Sequence, residues 1–311
     1  MSLWRHTKFA LEALGFFIAT GALRLLSPES ASNLGGALGR TFGPRLGISQ
    51  RARQNIRLAL PEKSAAEVEE IVRGMWDNLG RVAAEYPHLD RITAVESGRI
   101  ELADVSALRD LRDGHRAGIT VSAHLGNWEV LPTAGVRNGL DLLAVIREPN
   151  NPYVRPLLHR LRGAAGGTWA GKGAGGARQI VAALRAGRVV AMLIDQKLNT
   201  GIPLPFFGVE AMTVAAPAQL ALRFGCPLVP VRVERTGPAR FRISAPAAVP
   251  LSSLEAGDRH AAVSRIMGDL NRILEDWIRA RPEQWLWLHR RWPDAARRSS
   301  GAPPDNPASG F

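Results

Sequence analysis

The sequence predicts an α/β fold: a central, mostly parallel sheet flanked by helices, preceded by an N-terminal membrane-anchoring helix. Two observations carry the first part. From about residue 117 onward, short apolar runs alternate with longer helical stretches, the pattern of strands joined by crossover helices. At 311 residues, 46% hydrophobic and 22% charged, the chain is able to bury a full core as one large domain or two small ones. The second part rests on residues 9–26, an apolar stretch with charges at its borders.

Taken in order, residues 1–28 form the anchor. Between Glu12 and Arg24 lie 11 uncharged residues, about 16 Å of helix, short of a ~30 Å hydrocarbon core. Snorkelling of the end charges leaves a short or tilted span open beside an interfacial helix. No small-residue cleavage site follows, so the segment is read as a retained anchor, with a buried globular helix as the alternative. Residues 29 to about 100 read as helical, with Ser64-Ala-Ala-Glu67 as a capping box before an apolar-periodic run. Strands are expected at 118–123, 142–146, 188–194 and 228–233, with helices at 127–140, 152–162, 177–186 and 216–224 between them. A long amphipathic helix over 259–281 follows, and the Ser/Gly/Pro/Ala-rich residues 294–311 read as a disordered tail.

The charge balance is unusual: 40 basic against 28 acidic residues, net +12. Such a surplus favours an anionic partner, either a phospholipid surface, an acidic protein or nucleic acid. The basic residues are dispersed and match no nucleic-acid module, so nucleic acid is not expected as a partner. The single cysteine, Cys226, rules out an intrachain disulfide and a cysteine-cluster metal site; its apolar flanks make it a core residue.

The most informative pair is His124 and Glu129, at the end of the apolar run from residue 118. An imidazole and a carboxylate suit a general base and the group that orients it. In a continuous helix the two side chains would point about 140° apart. Gly126-Asn127 supplies a turn that brings Glu129 back, with Asn127 as N-cap of a helix starting at Trp128. Seven histidines in a chain with 28 acids give about one such spacing by chance at ordinary composition. His289 to Asp294 is a second, without the strand–turn–helix context, and its Trp- and Arg-rich surroundings read as membrane contact or core packing.

Other strand ends carry Arg147 and the run Asp195-Gln196-Lys197, positions where open α/β sheets bind ligands. Arg147 is read as a phosphate clamp, or as the salt-bridge partner of Asp195. The turn containing Phe206, Phe207, Gly208 and Thr213 either lines an apolar chain or plugs the sheet end. Gly166 to Gly173, with Lys172, falls one residue short of a P-loop, because Gly173 stands where Ser or Thr would hold magnesium. It remains a candidate anion-contacting loop.

Several blocks together resemble the bacterial lipid A biosynthesis acyltransferases, the late lauroyl/myristoyl-type transferases within the wider glycerolipid acyltransferase superfamily. They are His124-Leu-Gly-Asn-Trp-Glu129, Asp195-Gln196, Pro205-Phe-Phe-Gly208 with Met212-Thr213, and Cys226-Pro-Leu-Val-Pro-Val231. Arg53 to Pro61, Met75 to Arg81 and Arg281 to Trp292 add to them, so the resemblance spans roughly residues 30–293. It implies an enzyme at the cytoplasmic face of the bacterial inner membrane. Such an enzyme moves an acyl chain from acyl carrier protein, or from acyl-CoA, to a hydroxyl of a lipid A precursor. It further implies His124 as base, Glu129 as its partner, and Arg147 and Asp195 as the later-block site residues. No metal and no cofactor besides the acyl donor are expected. A phospholipid or another glycolipid is the alternative acceptor, and a non-catalytic basic membrane-binding protein is the reading from a different class. Val214-Ala-Ala-Pro217 after Thr213 departs from the family pattern.

Overall fold

The computed structural model describes residues 3–147, 149–163, 168–171, 173–251 and 258–293. The expectations for the Lys172 loop, for Asp294 and for the tail lie outside these residues.

The N-terminal part is helical, as its sequence predicts: α1 (Leu3–Arg24), α2 (Pro28–Phe42), α3 (Ser49–Ala59), α4 (Ala65–Glu85) and the short α5 (Leu89–Ile92). The capping box forms at the start of α4: the Glu67 N–H donates to the Ser64 hydroxyl, and the Glu67 carboxylate accepts from the Ser64 N–H. α2 crosses α4 in very close contact, and only glycine fits there: a Cβ on Gly35 would lie 2.3 Å from the Gly80 carbonyl oxygen. The end of α1 is fastened to the body. Arg24 pairs with Asp90 at 2.6 Å, and His88 Nε2 lies 2.9 Å from the Leu23 carbonyl oxygen. Among the described residues no helix is long and apolar enough to cross a membrane, so the spanning form of the expected anchor is not found.

After the strand β1 (Ile100–Leu102) and helix α6 (Ser106–Asp113), the chain alternates between strands and helices as expected, except that β4 was not foreseen and the expected strand 228–233 divides into β8 and β9 in different sheets. It runs through β2 (Gly118–Ser122), α7 (Val130–Arg137), β3 (Leu142–Val145), α8 (Arg155–Gly163), β4 (Thr168–Ala170), α9 (Ala174–Arg185) and β5 (Val189–Leu193). Next come β6 (Ile202–Phe206), β7 (Val209–Thr213), α10 (Ala216–Phe224), β8 (Leu228–Pro230), β9 (Arg232–Gly237), β10 (Arg240–Ser244) and α11 (Arg259–Ala280). Five strands form one parallel sheet in the order β4-β3-β5-β2-β8.

Two further sheets were not foreseen. A three-stranded sheet has the order β1-β10-β9. Its β10 shows the period of two in its own sequence, with Phe241 and Ile243 buried between exposed Arg240 and Arg242. The other is the β6–β7 hairpin. Phe207 and Gly208 take positive φ at its tip, as a two-residue connection of type I′ requires.

The parallel sheet is buried on both faces. Ile119, Val121, Leu143, Val190 and Leu228 face a core shared with α3, α4, α10 and α11. Leu142, Ala144, Val189 and Val229 face a second core, closed by α6, α7 and the three-stranded sheet. Each face therefore has its own cover, which leaves the carboxyl edge of the strands as the place where side chains from both layers meet.

Candidate active site

His124 lies two residues beyond β2, and Asp195 two residues beyond β5. Because β2 and β5 pair in parallel with Ser122 opposite Leu193, continuing the register brings His124 beside Asp195. The side chains meet there: the His124 Nδ1–H donates to Asp195 Oδ1 at 2.8 Å, and the His124 backbone N–H donates to Oδ2 at 2.9 Å. The Trp285 indole N–H donates to the same Oδ2 at 2.8 Å. Asp195 is fully buried. Burial alone would raise its pKa, but the charge and hydrogen bonds offered by His124 outweigh burial and hold the carboxyl below its usual range. When the ring carries a single proton, an ionised Asp195 fixes its tautomer, with the proton on Nδ1 and the lone pair on Nε2.

That lone pair faces the Gln196 amide, whose nitrogen lies 3.2 Å from His124 Nε2 and 3.4 Å from His289 Nε2. The two imidazole rings sit edge to face, 4.7 Å between centroids. Burial above all pushes the His289 pKa down to about 3, against the opposing pull of the Asp195 charge, so this ring is neutral near pH 7. His289 reaches the site because residues 284–286 run antiparallel to residues 124–126. The Leu286 N–H donates to the His124 carbonyl at 3.1 Å, and the Gly126 N–H donates to the Gln284 carbonyl at 3.1 Å. Asn55 then holds the following turn, donating to the carbonyls of Trp287 and His289 at 2.7 and 2.8 Å.

The expected contact between His124 and Glu129 does not form. Gly126 does make the turn, with φ +55, but the Glu129 carboxylate is taken by Arg162 in a two-pronged pair at 2.9 and 3.0 Å. The Tyr86 hydroxyl donates to it as well, at 3.2 Å. Burial, and then the charge of Glu129, raise the Tyr86 pKa, which keeps the phenol protonated. The helix also starts later than expected, at Val130. Asn127 Oδ1 accepts from the Glu129 N–H at 3.1 Å in a local turn, and its amide donates to Glu85 at 2.8 Å.

Glu85 is fully buried and fully satisfied by Arg235, Ser32, Asn127 and the Ala239 N–H. Asn78 donates to the Gly126 carbonyl at 2.9 Å and accepts from Arg235 at 2.8 Å. Buried polar groups of α4 thus clamp the loop that carries His124. Their signal in the sequence is small: polar residues on the apolar stripe of a helix.

Two cavities open at this edge. The first, about 390 Å³, lies on the face of the sheet that carries Leu142 and Ala144. Leu108 of α6, Leu131 of α7 and Ile243 of β10 give it an apolar wall, and His124, Glu129, Arg147, Arg162 and Gln196 line it at the strand ends. The second, about 1070 Å³, lies over the opposite face, with Ile202, Leu220 and Val263 among its apolar lining and Lys197, Arg223 and Arg259 among its cations. The residues common to both linings are Val145, Met192, Leu193 and Gln196.

The remaining expected residues divide cleanly. Arg147 is exposed and lines the first cavity; its alternative role, a salt bridge to Asp195, is not formed, since His124 and Trp285 occupy that carboxylate. Lys197 is exposed on the second cavity. Phe206, Phe207 and Thr213 line neither cavity, because all three are core. Phe206 stacks on Trp292 at 5.7 Å and lies beneath Arg291, while Thr213 accepts from Arg291 at 2.9 Å. Gly208 is at the exposed hairpin tip. The hairpin therefore plugs the sheet end. The Trp-rich segment around His289 is core, not membrane contact, with Trp285, Trp287 and Trp292 buried.

His124, Asp195 and His289 also place metal-ligating atoms within 4.8 Å of one another. Three N–H donors already engage the two Asp195 oxygens, and the Gln196 amide stands between the two imidazoles. The donor set is that of a hydrogen-bonded relay around a base.

A sequence model of the bacterial lipid A biosynthesis acyltransferase family matches residues 2–294. The chain belongs to this family. It is an acyltransferase, as its relatives are. The lipid A biosynthesis myristoyltransferase of Escherichia coli is 24% identical over 92% of this chain and 87% of its own length. The lipid A biosynthesis palmitoleoyltransferase of the same organism is 26% identical over 83% of this chain and 82% of its own. The phosphatidylinositol mannoside acyltransferase of Mycolicibacterium smegmatis is 23% identical over 88% and 91%. The match runs through every element that builds the site, from the Asn55 and Asn78 helices to the His289 turn.

Proposed function

We propose that this acyltransferase moves a fatty acyl chain from acyl carrier protein to a hydroxyl of a lipid A precursor, with His124 as general base. The observation that carries the reading is the Asp195–His124 pair, an oriented imidazole that lines the apolar cavity with its Nε2 against Gln196, where that cavity meets a cation-lined groove. The acceptor oxygen attacks the thioester carbonyl carbon while its proton passes to His124 Nε2. When the tetrahedral intermediate collapses, the C–S bond breaks and the leaving thiolate takes that proton. The products are an ester and a free thiol, and the base is regenerated. Asp195 steadies the imidazolium between the two transfers.

In this reading Glu129 acts through Arg162 at the cavity wall and does not touch the base. The net charge of +12 suits both an acidic carrier protein and a phosphorylated glycolipid. A membrane-bound acceptor also needs an enzyme at the surface. Trp4, Leu11, Leu14, Phe17 and Ile18 are exposed on α1, and Leu34, Leu38 and Phe42 are exposed at four-residue spacing on α2. With Arg5 and Lys8 beside them, these faces fit an anionic bilayer interface at the cytoplasmic side of the inner membrane.

The test is mass spectrometry of membrane lipids from cells carrying wild-type protein or His124→Ala. Loss of one acyl chain from lipid A in the variant supports the reading; intact lipid A sinks it. The relation to the mannoside acyltransferase favours a second acceptor class, another glycolipid, and altered acylation there with unchanged lipid A would select it.

A further inference from the structure

The proposed reaction needs a donor for the oxyanion that forms when the thioester is attacked. Four of the backbone N–H groups around His124 are already engaged. The N–H groups of His124, Leu125, Gly126 and Glu129 donate respectively to Asp195, the Ala123 carbonyl, the Gln284 carbonyl and Asn127 Oδ1. Gln196 stands differently. Of the four residues that line both cavities, it is the only one with a polar side chain. A thioester whose chain fills the apolar cavity and whose carrier arm or acceptor occupies the groove has its carbonyl at that junction.

The Gln196 amide nitrogen faces both imidazoles, at 3.2 Å from His124 Nε2 and 3.4 Å from His289 Nε2. With Asp195 taking the Nδ1 proton of His124, Nε2 of His124 is an acceptor, and a neutral His289 with its proton on Nδ1 presents Nε2 as an acceptor as well. One amide NH₂ group thus serves two imidazole lone pairs, one hydrogen each. An acceptor hydroxyl that binds to His124 Nε2 displaces the first of these hydrogen bonds and leaves the second in place. The released N–H then lies 3.2 Å from the base nitrogen, a spacing that the two oxygens on one tetrahedral carbon can bridge.

Building on the proposed acyl transfer, we infer that Gln196 is a catalytic residue that donates its amide hydrogen to the oxyanion, and that His289 is the positioning residue that holds the amide for it. In the balanced step, the new C–O bond forms as the carbonyl π pair moves onto the oxygen facing Gln196. The hydroxyl proton goes to His124 Nε2, and the returning pair expels the thiolate, which takes the proton back. Gln196 and His289 gain and lose nothing; the amide only changes its acceptor.

The experiment is steady-state transfer from an acyl carrier protein thioester to a lipid A precursor in detergent micelles, with full-length wild type, Gln196→Ala, Gln196→Glu, His289→Ala, His289→Asn, Arg147→Gln and His124→Ala, each checked for an unchanged melting curve. Gln196→Ala should lower kcat by about 10²–10³-fold with little change in KM. Gln196→Glu should lose as much, and its added negative charge should move the acid limb of the pH profile to higher pH, which simple loss of packing would not do. His289→Ala should lose about tenfold in kcat, and His289→Asn, which keeps an acceptor for the amide, should recover most of it. A Gln196→Ala enzyme with near-wild-type or raised kcat overturns the inference, as does a loss confined to KM. So does a kcat loss in Arg147→Gln that Gln196→Ala lacks, which makes the arginine the donor. If His124→Ala abolishes transfer while Gln196→Ala does not, only this inference fails. If His124→Ala is also active, the acyl-transfer mechanism fails with it.

Discussion

The Asp195 cluster and the Glu129 cluster make an instructive pair. Both present a carboxylate at the same sheet edge, and each carboxylate accepts three hydrogen bonds. Glu129 is five positions from His124 along the chain, yet its partners are Arg162 and Tyr86. Asp195 is 71 positions away and holds the imidazole. The difference comes from the sheet. A parallel neighbour strand delivers its residues at the height set by hydrogen-bond register, whereas residues that follow a turn point where the turn sends them. The Gly126 turn sends Glu129 along the cavity wall toward α8. Proximity in sequence is thus a weaker guide to a catalytic partner than adjacency of strand ends.

The comparison breaks first at Asp195. Asp195→Asn should lower kcat by about 10²–10⁴-fold, because the amide cannot enforce the Nδ1 proton on His124; a purified variant with near-wild-type kcat would return the orienting role to Glu129. Next in size is the clamp on the loop that joins the two clusters. Glu85→Ala leaves the buried Arg235 guanidinium unpaired and should destabilise the fold by about 3–5 kcal/mol in urea unfolding.

The Glu129 cluster itself is tested by a double-mutant cycle. Whatever activity Glu129→Gln removes, Arg162→Gln should remove too, with a coupling of about 1–3 kcal/mol and a double variant no worse than either single one. Additive losses would mean that the carboxylate acts elsewhere. Gly126→Ala should cost about 1–2 kcal/mol of stability, since the turn needs φ +55 and a Cβ there would meet the Val233 carbonyl oxygen at 2.9 Å.

The smallest effect is on pH dependence. The folded state keeps His289 neutral down to about pH 3, whereas the unfolded chain protonates it near 6.5. The unfolded state therefore binds more protons in that window, and stability falls as pH is lowered through it. His289→Gln should flatten the stability-versus-pH curve there by at most about 1.4 kcal/mol per pH unit. An unchanged slope would mean that the ring is solvated.

The sequence by itself determined the α/β fold class, four of the five parallel strands, most of the helices, the capped start of α4, the turn at Gly126 and the strand-end position of His124. All of these are local. They follow from periodicity, from side-chain-to-backbone bonds within a few residues, and from backbone conformations that only certain residues take. The family blocks were legible too, and with them Asp195 and Gln196 as strand-end residues. Only the tertiary structure decided which acid holds the imidazole, that His289 belongs to the site, and that Phe206, Phe207 and Thr213 belong to the core. Those outcomes depend on register between β2 and β5 and on the antiparallel seating of residues 284–286 beside residues 124–126. Pairing between distant segments is set by what each face must bury and by which N–H and C=O groups remain to be satisfied, and no local pattern in either segment records the height at which it will dock.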